Sequence, residues 1–124
     1  MSTIDPISNL VTSINNKIAL NKTELVVPYS RFRKEILNKL KEENVIANYE
    51  EINDEKYTQI KIYLLKKPYR FAIISKPGRK IYAKYSEIPR KKRELIILST
   101  STGLLTAKQA IKKQIGGELI MEVS

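Results

Sequence analysis

Ile7, Leu10, Val11, Ile14 and Ile18 recur at spacings of three, four and seven, which places them on one face of an amphipathic helix. Asp5-Pro6 just ahead supplies a capping carboxylate and a first-turn proline. Glu24-Leu25-Val26-Val27-Pro28 reads as a short strand stopped by its proline. Ser30 caps a second helix running to about Glu43, with Phe32, Ile36, Leu37 and Leu40 on the buried face. Ile46 to Ile52 and Tyr57 to Leu65 read as two strands joined by a turn containing Asn53-Asp54. The first half is thus an α-β-α-β-β unit.

Lys66-Lys67-Pro68-Tyr69 marks the junction to a second pattern. Arg70 to Ser75 is predicted as a strand, Lys76-Pro77-Gly78 as a tight turn, and Arg79 to Tyr82 as a further extended piece. A helical turn is expected at Ser86-Glu87-Ile88-Pro89, and a buried strand at Leu95-Ile96-Ile97-Leu98. Thr106 caps a helix from about Ala107 to Gln114, with Ala110 and Ile111 inward. Gly116-Gly117 end it, and Glu118 to Val123 form a last strand. The fold class is α+β in two small units. Residues 1–65 form the α-β-α-β-β unit, and residues 66–124 a mostly β unit with one short helix. Neither repeats nor low-complexity segments occur.

Between the buried strand and the last helix lies Ser99-Thr100-Ser101-Thr102-Gly103, four consecutive hydroxyls and a glycine. Such a turn gathers small donors, acceptors and backbone N–H groups, which suits phosphates, sugar hydroxyls or base edges. Taken alone, serine and threonine are also ordinary loop residues.

Charge changes that balance. The chain has 23 Lys and Arg against 13 Asp and Glu, a formal +10. Residues 1–62 hold 9 basic and 9 acidic residues, whereas residues 63–124 hold 14 and 4. Between Lys66 and Arg93 stand 11 basic residues and one acid, Glu87. A neutral half beside a strongly basic half is the electrostatic footprint of a polyanion-binding unit, and a nucleic acid is the favoured partner.

The rest of the composition mainly excludes. Cysteine and histidine are both absent, which removes disulfides, thiolate metal sites, the commonest metal ligand and the commonest general base. No cofactor or metal is therefore expected. A nucleophilic Ser99 or Ser101 with a lysine base would need no histidine, yet neither Ser-x-x-Lys nor Gly-x-Ser-x-Gly occurs, and the phosphate-loop pattern is missing. No stretch approaches the roughly 20 apolar residues of a membrane span. The N-terminal sequence lacks the marks of a secretory signal or transit peptide. Heavy use of Lys, Ile, Asn and Tyr suits AT-rich coding DNA.

A series of motifs in fixed order resembles the bacterial-type small-subunit ribosomal protein number eight, the S-eight family. The series is Ser75-Lys76-Pro77-Gly78, Lys80-Ile81-Tyr82, Ile88-Pro89-Arg90, Ser99-Thr100-Ser101-Thr102-Gly103 and Gly116-Gly117-Glu118. Asp5-Pro6-Ile7, Thr12-Ser13-Ile14, Pro28-Tyr29-Ser30-Arg31 and Glu43-Asn44-Val45-Ile46 extend the likeness through the first half. The resemblance implies a non-enzymatic ribosomal protein that binds a stem in the central domain of small-subunit ribosomal RNA. Neighbouring small-subunit proteins, numbers five and two, would be its protein partners, with no membrane involved.

By the same resemblance, Ser99, Thr100, Ser101, Thr102 and Gly103 enter an irregular stem, where RNA bases are more open than in regular A-form. Tyr82 lies against the RNA, and Glu118 orients the turn or accepts from a base amino group. Lys76, Arg79, Lys80, Arg90 and Ser30 complete the implied contacts. The chain also departs from the pattern. Lys80 stands for an arginine, replacing a planar fork by a point charge, and Thr102 for a common Lys or Arg. The link before the buried strand is short and basic, Lys91-Lys92-Arg93-Glu94. Ser13 and Asn15 replace expected arginines on the first helix. A free-standing RNA-binding translational regulator, including one acting on its own messenger, would carry the same footprint. For the compartment, a plastid stroma ranks ahead of a bacterial cytoplasm and a mitochondrion.

Overall fold

The structure, a computed structural model, describes residues 6–76, 78–89 and 94–124. The expected cap at Asp5, the proline of the tight turn (Pro77) and the basic run from Arg90 to Arg93 lie outside the described residues. The fold is α+β, and the chain divides into two compact units, Met1–Tyr69 and Arg70–Ser124.

The first unit runs α1 (Pro6–Ala19), β1 (Glu24–Pro28), α2 (Arg31–Glu42), β2 (Ile46–Asn53) and β3 (Thr58–Leu64). Its strands form one antiparallel sheet in the order β1-β3-β2. Period-two alternation decides which face is covered: Ile60, Ile62 and Leu64 of β3 are buried, as are Leu25 and Val27 opposite them. Ile7, Leu10, Val11 and Ile14 of α1 and Ile36, Leu37 and Leu40 of α2 complete the buried apolar set. On α2 the pattern departs from expectation at one place. Phe32 is only half-buried, while Arg33 is 9% exposed and donates from Nη1 to the Pro28 carbonyl at 3.0 Å. The arginine stem can cover apolar surface while its head finds a backbone acceptor.

The second unit contains β4 (Phe71–Ile73), β5 (Tyr82–Ala83), a 3-10 turn at Tyr85–Glu87, β6 (Leu95–Thr100), β7 (Gly103–Thr106), α3 (Ala107–Lys113) and β8 (Gly117–Val123). Strand β8 is the hub. It pairs with β4 and β5 along one edge and with β6 along the other, and β7 continues the sheet beyond β6. Ile88, Ile96, Leu98, Leu105, Ala110 and Leu119 form a buried cluster beneath α3. Thr106 caps α3 through a reciprocal pair with Gln109.

Three local expectations are corrected. The strand expected at Arg70–Ser75 is regular only over Phe71–Ile73. Ser75, 7% exposed, instead accepts from Ile81 N at 2.9 Å and donates to Ile81 O at 3.3 Å, bracing the base of the tight turn. Strand β6 continues through Ser99 and Thr100, and Gly103–Thr106 form β7, a strand that two leucines alone do not announce.

Gly116-Gly117 do not end α3. Gln114 does so with φ 56, while Gln114 N and Ile115 N bond back to the Ile111 and Ala110 carbonyls. Asn21 and Asn44 close α1 and α2 in the same left-handed conformation. The two glycines answer to space. A Cβ on Gly116 would strike Ala83 O and come within 2.9 Å of Lys84 Cα. One on Gly117 would strike Ser99 O and approach Thr100 Cγ2 to 3.0 Å.

Gly117→Ala should therefore lower unfolding stability by about 1–3 kcal/mol, the cost of overpacking a rigid site; an unchanged denaturation midpoint would refute the steric account. Ser30→Ala should cost about 1 kcal/mol through loss of the α2 cap, in which Ser30 Oγ accepts from Arg33 N at 3.0 Å. Urea unfolding of the two variants measures both.

Candidate functional site

The hydroxyl segment is the tip of a β-hairpin. Thr100 pairs with Gly103, leaving Ser101-Thr102 as a two-residue loop. Neither loop residue has a positive φ, so the turn is not a primed type; the positive value, 111, falls on Gly103. Thr100 holds the loop closed. Its hydroxyl donates to Gly103 O at 2.7 Å, accepts from Thr102 N at 3.2 Å and lies 3.1 Å from Thr102 Oγ1. Ser99 and Ser101 make no side-chain hydrogen bond to any described residue, and Ser101 is exposed. Four similar side chains thus divide into two that build the hairpin and two that present free hydroxyls.

Register brings distant residues into one row. Glu118 of β8 stands opposite Tyr82 of β5 on one side and Ser99 of β6 on the other, and Ser99 faces Leu104 of β7. Cross-strand partners project to the same face, so Tyr82 and Ser99 flank Glu118 across about 10 Å, two strand spacings. Tyr82 is 67% exposed, which leaves its ring available for a partner outside the unit. The Glu118 carboxylate has no partner among the described residues. A phenol ring, a carboxylate and a hydroxyl in a row can stack on a planar group and accept from its amino hydrogens.

Lys76, Arg79 and Lys80 lie on the turn just ahead of β5, all exposed. Lys76 N and Arg79 O, and Arg79 N and Lys76 O, close that turn at 3.1 and 2.9 Å, and Gly78 supplies a φ of 80 at its third position. Ser30 belongs to the first unit, where its hydroxyl caps α2. Arg90 lies outside the described residues.

The two units treat their charges differently. With the boundary at Tyr69, the first holds 11 basic and 9 acidic residues and the second 12 and 4. The four ion pairs between described residues, Arg31–Glu35, Lys34–Glu51, Lys39–Glu42 and Lys61–Glu24, all lie in the first unit. There the Glu51 and Glu24 carboxylates push the Lys34 and Lys61 ammonium groups above their usual range, by hydrogen bonding first and charge second. Lys76, Arg79 and Lys80 have no such carboxylate among the described residues. Helix α3 adds three more cations with no ion-pair partner among the described residues, Lys108, Lys112 and Lys113, which hydrophobic spacing does not single out. Among the described residues no helix is long and apolar enough to cross a membrane.

Residues 5–124 match the family model described as Ribosomal protein S8. The small ribosomal subunit protein uS8 of Thermus thermophilus is 40% identical over 134 residues, covering 96% of this chain and 97% of its own. Its counterpart from Geobacillus stearothermophilus is 41% identical over 126 residues, with 96% of each chain covered. That of Shouchella clausii is 39% identical over 127 residues, again with 96% of each covered. Likeness of this extent, through both units, makes the chain a member of the ribosomal protein S8 family.

Proposed function

We propose that the protein is a non-enzymatic structural component of the small ribosomal subunit and binds an irregular stem in the central domain of small-subunit ribosomal RNA. One observation carries the RNA-binding part. Among the described residues every ion pair lies in the first unit, whereas Lys76, Arg79 and Lys80 of the second meet no carboxylate and are left for an outside polyanion.

In this reading Lys76, Arg79 and Lys80 contact phosphates, as does Arg90, and supply affinity without sequence preference. Ser101 and Ser99 offer hydroxyls to bases and sugars, Tyr82 stacks, and Glu118 accepts from a base amino group. Thr100, Thr102 and Gly103 act chiefly by shaping the loop. Ser30 contributes through the helix it caps rather than by touching RNA. The near-neutral first unit, residues 1–65 by the sequence pattern, is assigned to neighbouring ribosomal proteins, numbers five and two. The Lys-, Ile- and Asn-rich composition supports a plastid ribosome over a bacterial one.

Purifying the tagged protein and sequencing the RNA that accompanies it tests the whole reading. Stoichiometric small-subunit ribosomal RNA is expected, and its sequence names the compartment. Recovery of messenger RNA alone would replace the ribosomal role with that of a regulator.

Two serine and threonine changes separate reading from scaffolding. Ser101→Ala should leave stability within about 0.5 kcal/mol. It should nevertheless cost roughly 1–3 kcal/mol of binding to the cognate stem, where RNA polar groups would be desolvated without a partner. Thr100→Ala should lose about 0.5–1.5 kcal/mol of folding stability with the hydroxyl that closes the loop. Equal losses by Ser101→Ala on cognate and unrelated RNA in filter binding would refute a role in specificity.

A further inference from the structure

We propose that α3 is a second RNA-contact face, on which Lys108, Lys112 and Lys113 engage backbone phosphates outside the stretch met by the β6–β7 hairpin. This rests on the RNA binding proposed above and extends it to a helix that none of the hairpin motifs includes.

Lys108 is the informative residue, because nothing in the folded chain favours a cation there. It occupies the second position of α3, in the first turn, where the helix dipole repels positive charge. Lys112 stands four residues on, on the same face, and like charges at that spacing repel. No carboxylate occurs from Leu95 to Gly117, and none of the three lysines has an ion-pair partner among the described residues. Nor does Lys108 shield the core, since Ala107, Ala110 and Ile111 do so while Lys108 is exposed. Lys112 and Lys113 lie in the last turn, where the dipole favours them, and taken alone would need no partner. A lysine at the wrong end of the helix does.

The occupant follows from charge and place. Helix α3 packs on β6 and β7 themselves, so its outer face is held fixed relative to the hairpin. From Gly103 to the end of β7 is about 10 Å, and α3 adds about 10 Å more. An RNA duplex is a dense row of phosphates on that scale, whereas an acidic protein patch would have to match three lysines specifically.

The test uses the full-length protein and a central-domain ribosomal RNA transcript, with Kd measured from 50 to 200 mM KCl. Lys108→Gln should lower the slope of log K against log salt by about 0.9, one phosphate fewer being neutralised, which narrows its difference from wild type about 3.5-fold across that range. The weakening should be equal on unrelated duplex RNA, and the thermal midpoint should hold or rise, since a repelled charge has gone. Lys108→Arg should restore the slope. If wild type binds the transcript and Lys108→Gln leaves the slope unchanged, the α3 face is refuted while the hairpin reading stands. It is refuted equally if the slope is unchanged but the variant enters small subunits poorly, which would mark a protein partner on this helix. Failure of the wild type to bind ribosomal RNA would remove the functional reading and this inference with it.

Discussion

Everything in the second unit depends on how closely backbone can approach β8 from both sides. Strand β5 reaches it where Tyr82 faces Glu118, and β6 reaches it where Ser99 faces the same residue. At the two positions before Glu118 a Cβ would collide with Ala83 O on one flank and Ser99 O on the other. Glycine at 116 and 117 is therefore the condition for the row Tyr82–Glu118–Ser99 to exist. Carbonyl oxygens in a hydrogen-bonded sheet cannot retreat as a flexible side chain can, so the constraint is steric and backbone-borne. The hairpin inherits it, because β7 joins the sheet only through β6.

Charge is arranged on a different logic from stability. Exposed ion pairs such as Arg31–Glu35 contribute little to folding, because water and salt screen them and ordering two long side chains costs entropy. Their concentration in the first unit is better understood as neutralisation, which leaves that surface with little long-range pull on a polyanion. The described cations of the second unit have no ion-pair partner among the described residues, which leaves their self-repulsion uncompensated within a small domain. In a protein that works alone, such repulsion would simply oppose folding.

The sequence makes the helices and the first sheet plain, because their apolar periods are long and undisturbed: Ile7 to Ile14, Ile36 to Leu40, Ile60 to Leu64. It is less informative where a residue serves two masters. Gly116-Gly117 reads as a helix stop because glycine is the usual residue there, yet Gln114 takes the left-handed conformation and the glycines serve the sheet. Strand β7 is four residues long, too short for alternation to emerge. Arg33 breaks the pattern because a long side chain can bury its stem and still reach Pro28 O. The row through Glu118 could not be read from spacing at all. Tyr82, Ser99 and Glu118 meet through sheet register, which local pattern does not encode.

Glu118 is the most instructive member of the row. If the second unit binds RNA as proposed, a carboxylate on that surface opposes the field of its cations, and affinity alone would not keep one there. Under the proposed function its value lies in discrimination. A base amino group placed between Tyr82 and Ser99 satisfies the carboxylate, whereas a phosphate or a base carbonyl in that position is repelled. Lysines and arginines at phosphates would bind any RNA backbone, so in that proposal part of the selectivity falls to a group that makes some RNA bind worse. The two free hydroxyls, Ser99 and Ser101, can donate or accept and so tolerate several partners. The carboxylate, an acceptor only, does not. In that proposal affinity and selectivity reside in residues of opposite charge, and one strand and two glycines hold Glu118 between its neighbours.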